Sequence, residues 1–198
     1  MPESQRKILP TDILSPAEYD QQRKALKANL IPMKKQRRVE VGPFATFYFE
    51  NYATMWLQVQ EMLRIEKGGE AQMADEIAAY DPMIPKGSEL TMTMLFEVED
   101  AGRRDAFLRT IGGIEDHISL QVGGHVIKAR PEGDVERTRE SDGKASAVHF
   151  FHFDFPAEAI AAWKGGEGSA MLVIDHPNYG HAALIGAPTR DFLSRECF

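Results

Sequence analysis

The sequence predicts an α+β fold: N-terminal helices packed on a mostly antiparallel sheet of about five to six strands. Three observations predict it. Apolar residues recur at helical spacing over about residues 12–86, then alternate with polar ones over about residues 87–188. The later strand candidates are joined by short turns, as at Gly123-Gly124. The glycine pairs at 68, 112, 123 and 165 fit no phosphate-binding loop, so nothing points to a nucleotide-binding parallel sheet. At 198 residues, one domain over 1–198 is expected, large enough to fold without metal or disulfide.

The elements follow in order. Residues 1–11 read as a mobile start. Ser15-Pro16 supplies an N-cap and a first-turn proline, with Glu18 behind, so a helix runs from about Pro16 to Leu30 and Pro32 stops it. Val39–Val41 is a short strand, Gly42-Pro43 a turn, and Phe44–Phe49 a strand or a lead-in to the next helix. Glu50–Lys67 carries the strongest helical signal. Tyr52, Met55, Trp56, Val59, Met62 and Leu63 form its apolar stripe, with Glu50, Thr54 and Glu61 opposite. Gly68-Gly69 stops it, and a short link to the helix Glu70–Tyr80 predicts an antiparallel pair. Leu90–Val98 alternates as a half-buried strand. Arg103–Ile111 is a short helix, and Ile118–Val122 with His125–Ala129 a hairpin. Pro131–Ala145 is a polar, mobile excursion, and Ser146–Phe155, apolar on both faces, a central strand. Pro156–Trp163 is helical, Met171–Asp175 and His181–Ile185 are strands, and a last helical turn follows Thr189.

Twenty-three Lys and Arg against 30 Asp and Glu leave a formal charge of −7. That weighs against a nucleic-acid partner, which needs a concentrated basic patch. One basic cluster exists, Lys34, Lys35, Arg37 and Arg38, read as a solvated turn or an anion-binding corner. No apolar run reaches the roughly 18 residues of a membrane span, and no apolar leader opens the chain. The single Cys197 cannot pair internally, which fits a reducing cytoplasm; so near the chain end it is expected to be disordered.

Two constellations could carry chemistry. Glu50, Thr54 and Glu61 share a helix face, with Arg64 flanking and Arg37 or Arg38 able to reach in. The alternative is a solvated face with a Glu61–Arg64 pair. His176 and His181 lie in DHPNYGH, where a four-residue turn would set them opposite each other, with His152 on a neighbouring strand to complete a metal site; a packed histidine pair is the alternative. Met55, Met62, Met92 and Met94 sit at core positions.

The runs KKQRRVEVGP, FENYATMWLQVQEMLRIE and AAYDPMIPKGSEL, with the later SAVHFFHFDF and VIDHPNY, resemble an uncharacterised bacterial domain-of-unknown-function family. The resemblance extends from about Thr11 to Arg190, and its strongest motifs match Arg37, Arg38, Gly42, Glu50, Asn51, Thr54, Gln60, Glu61 and Arg64, then Glu66, Tyr80, Pro85, His149, His176 and Pro177. Members are often encoded near rubrerythrin-like and iron–sulfur oxidoreductase proteins, which implies a redox or oxidative-stress setting. The resemblance supplies no catalytic role and no cofactor.

The expectation is therefore a cytoplasmic accessory protein that binds a redox partner or a small polar ligand through Arg37, Arg38, Glu50, Asn51, Thr54, Glu61 and Arg64. A small metal protein or enzyme using His176, His181 and His152 is the alternative, and a homo-oligomer joined through Met- and Phe-rich strand faces the third.

Overall fold

The computed structural model describes residues 6–133, 137–166 and 168–198. Residues 1–5 of the expected mobile start and 134–136 of the polar excursion lie outside them.

Helix α1 spans Pro16–Gln36, opened by Ser15, whose side chain accepts from Glu18 N while Glu18 reaches back. It runs through Pro32 instead of ending at Leu30. The hydrogen bond lost there is to the carbonyl of Ala28, which is exposed, so water can take the donor's place. Strands β1 (Arg38–Val41) and β2 (Ala45–Phe49) form a hairpin, which agrees with the strand expected at Val39–Val41 and takes the strand alternative for Phe44–Phe49. Gly42 at its turn has φ +69°, a conformation that favours glycine. Helices α2 (Tyr52–Glu66) and α3 (Gly69–Tyr80) follow. Asn51 caps α2 through Thr54 N, so Glu50 stands before the helix and not on it.

The remaining elements are β3 (Glu89–Phe96), α4 (Ala101–Leu108), β4 (Ile118–Val122), β5 (His125–Lys128), β6 (Arg130–Pro131), β7 (Val148–Asp154), α5 (Ala157–Gly165), β8 (Ala170–His176), β9 (Tyr179–Ile185) and α6 (Ala187–Glu196). The fold is α+β, with the strands divided between two antiparallel sheets instead of one: β1-β2-β3-β7-β6 and β5-β4-β8-β9. Strand β7 lies one place from an edge, beside the two-residue β6.

Period-two alternation gives the first sheet two chemically different faces. Phe47, Phe49, Met92, Met94, Phe151 and Phe153 point inward and pack with Leu120, Leu172 and Ile174 of the second sheet. Trp163 of α5 and Leu193 of α6 join this core. These Met and Phe side chains are fully enclosed, which corrects the expectation that they meet a second copy of the chain. On the outer face, α2 and α3 build a smaller core in which Met55, Val59, Met83 and Ile84 gather Ile77, Tyr80 and Phe150. Ile8 is buried in it and its N–H donates to Asp81, so this much of the N-terminal segment is anchored. The excursion is also tied down: Thr138 bridges Ala145, while Asp142 and Lys144 pair with Arg109 and Asp105. Among the described residues, no helix is long and apolar enough to cross a membrane.

Candidate functional site: a cleft between the helical layer and the first sheet

The helices do not cover the outer face of the first sheet completely. A cleft of about 450 Å³ remains, floored by Leu95, Val148 and Phe150 and walled by Lys34, Arg37, Met55, Gln58 and Tyr80. Tyr48 and Thr93, cross-strand partners on β2 and β3, lie beside Glu50 and Thr54. The volume falls in the lower part of the usual range for small-molecule sites, roughly 300–1,000 Å³.

Glu50 leaves β2 just before the α2 cap and is 7% exposed. Its Oε1 accepts from Thr93 Oγ1 at 2.7 Å. Oε2 has no hydrogen-bond partner among the described residues, yet it is not sealed among buried atoms, so it opens to the cleft. Arg37 is 1% exposed. Its Nε donates to Phe49 O at 2.7 Å and Nη1 to Glu196 at 2.9 Å, while Nη2 is sealed from solvent and has no hydrogen-bond partner among the described residues. Asn51 Nδ2 donates to the same Glu196 oxygen, fastening α6 to the start of α2. Arg37 and Glu50 make no ion pair with each other, although both line the cleft.

The other expected ligand-binding residues lie elsewhere. Glu61 is not on a solvated face. It sits between α1 and α2, accepting from Tyr19 Oη at 2.5 Å, Arg23 at 2.7 and 2.8 Å, and Lys27 at 3.3 Å. The Arg23 bonds outweigh the opposing burial and, with Tyr19 and Lys27, hold its carboxyl down to about 2. Arg64 pairs with Asp20, not with Glu61. Arg38 pairs with Glu40 and Glu97 at the surface. Of the expected ligand set, the cleft therefore brings together Arg37, Glu50 and Thr54; Asn51 caps the adjoining helix, and Arg38, Glu61 and Arg64 serve separate ion pairs. Tyr48, Thr93 and Phe150 are additions. Their signal was available in the alternation of the strands, once it is known which face the helices leave open.

A family described as protein of unknown function (DUF3501) matches residues 7–197. The chain belongs to that family. It is also similar to a solved structure, described as a novel protein of unknown function from Burkholderia pseudomallei K96243, with 33% identity and a TM-score of 0.87 over 96% of this chain and 98% of that one. No curated protein matches it.

In this DUF3501 chain the three histidines expected to share a metal are dispersed. The β8–β9 turn has two residues, Pro177 and Asn178, so His176 pairs with Tyr179 and His181 with Ile174. The shorter turn shifts the register and removes the expected cross-strand histidine pair. His176 Nε2 faces Gly112 O at 3.2 Å and its Nδ1 accepts from Asn178 N, while His181 packs edge-on to Tyr179. His152 belongs to the other sheet. Its Nδ1 bonds Glu89 at 2.7 Å and its Nε2 bonds Glu132. Burial lowers its pKa, but the two carboxylates outweigh burial and the net shift is upward. Among the described residues, no group of three or more His, Cys, Asp or Glu is placed to hold a metal ion. Cys197 is buried beside Arg37 and is not a loose end: burial pushes its thiol up to about 11, against the pull of the guanidinium.

Proposed function

We propose that the protein binds a small polar molecule in the cleft, with Glu50 as the anchoring carboxylate. One observation carries this reading: a nearly buried carboxylate with a single hydroxyl partner and one oxygen turned to an otherwise largely apolar hollow. Withdrawing a carboxylate from water is costly unless its lone pairs are used. A donor arriving from a ligand, an ammonium above all, meets that need and gains a charge-assisted hydrogen bond. Phe150, Leu95 and Met55 supply apolar contact for the body of such a ligand. The accessory role, the redox setting and the oxidoreductase partner rest on the family resemblance and would be served by such a sensor or carrier.

Titration calorimetry with small amines tests the reading. Isopentylamine and phenethylamine are expected to bind the wild type and to lose at least about tenfold in affinity with Glu50→Gln. Failure of the wild type to bind any amine or amino acid, or equal binding by Glu50→Gln, would refute it.

A further inference from the structure

We infer that the protein has a second binding site, on the other side of α2 from the cleft, for an uncharged and mostly apolar molecule that carries a hydroxyl group.

The helix itself separates the two sites. At about 100° per residue, Met55 and Gln58 turn toward the cleft, whereas Gln60, Leu63 and Arg64 share the opposite side. There they line a hollow of about 800 Å³, with residues 13–20 and Met73 of α3 supplying the other walls. The lining is chiefly apolar: Ile13, Leu14, Pro16, Leu63 and Met73 all face it, and none of them is fully buried, so the hollow is open to solvent.

Gln60 is the exception in these walls. It is 2% exposed, and neither end of its side-chain amide has a hydrogen-bond partner among the described residues. Its Nε2 is sealed, but its Oε1 is not, so the amide presents its oxygen to the hollow. An amide withdrawn from water with that acceptor unused is costly, and a ligand that brings a donor removes the cost. The nearby charges are engaged or outside: Arg64 pairs with Asp20 at 2.6 Å, Glu18 accepts from Ser15, and Lys67 is exposed. No enclosed charge answers a carboxylate or an ammonium, which selects an uncharged ligand. The Tyr19 hydroxyl in the same wall already donates to Glu61. A ligand amide would therefore bring a carbonyl with no donor to meet it, whereas a hydroxyl supplies the proton alone.

Equilibrium dialysis with 2-naphthol, 2-methoxynaphthalene and 2-naphthoate tests this at about pH 7, where a phenolic hydroxyl keeps its proton. The naphthol is expected to bind the wild type at least about tenfold more tightly than the ether or the carboxylate. Gln60→Leu, close in size and apolar, should hold the naphthol and the ether alike. Met73→Trp, at a half-buried position, should fill the hollow and weaken the naphthol at least about tenfold, with circular dichroism confirming the fold of both variants. Equal binding of naphthol and ether by the wild type, or a preference that survives Gln60→Leu, would overturn the hydroxyl assignment. Naphthol binding that is absent from the wild type, or indifferent to Met73→Trp, would overturn the site.

Discussion

Replacing Glu61 with Gln should remove a block of acid-dependent stability from the α1–α2 interface. The wild-type carboxylate accepts from Arg23, Tyr19 and Lys27 and is held down to about 2, from 4.5. In a closed interior that fall would correspond to about 3 kcal/mol between the protonation states. Glu61 is 18% exposed, but Arg23 and Lys27 are 35% and 45% exposed, so water screens the partners and about 1–2 kcal/mol is the better figure. The folded pKa is depressed, so this stability is present above about pH 4.5 and is lost as pH falls toward about 2. Urea unfolding followed by circular dichroism, at about pH 7, 5 and 3, checks it. The wild type should lose more stability than Glu61→Gln between the two lower values, and the variant should start about 1–2 kcal/mol less stable at the highest. Parallel pH curves for the two proteins would show that Glu61 is not bound as the structure has it.

Three further perturbations probe other joints. Tyr179 Oη donates to Val41 O and accepts from Phe44 N and Ala45 N, so Tyr179→Phe strands buried backbone groups and should cost about 2–3 kcal/mol in denaturant unfolding. Gly42→Ala would bring a methyl to 2.5 Å from the His181 ring and 2.8 Å from Tyr179 Oη at φ +69°; its melting temperature should drop, and adding His181→Ala should recover part of the loss. His152 has a raised folded pKa, so its stabilising contribution is complete below its unfolded value of about 6.5 and disappears as pH rises through the folded one; wild-type stability should decline over that rise, whereas His152→Gln should show a flatter profile by thermal melting.

Much of the secondary structure was legible because it is local. Ser15-Pro16 with Glu18, the alternation from Leu90 to Phe96 and Gly123-Gly124 each announce an element from within a few residues. The errors also have physical causes. Pro32 does not end α1, because the carbonyl it frees belongs to the exposed Ala28 and is open to solvent. The β8–β9 turn is two residues shorter in its effect on pairing than the spacing of the histidines implied, and nothing in HPNY fixes that length. Glu61 looked solvated because α2 alone cannot show that α1 lies across its polar side with Tyr19 and Arg23 ready to pair.

The sequence by itself determined the α+β class, the antiparallel pairing and the apolar faces, since these follow from periodicity and turn chemistry within short windows. It also singled out Arg37, Glu50 and Thr54 as unusual residues. Only the tertiary structure decided that these three share a hollow while Arg38, Glu61 and Arg64 go to separate partners. The reason is that a charge takes its meaning from what faces it. Those facing groups come from Thr93 on β3 and Glu196 on α6, 43 and 159 residues away along the chain.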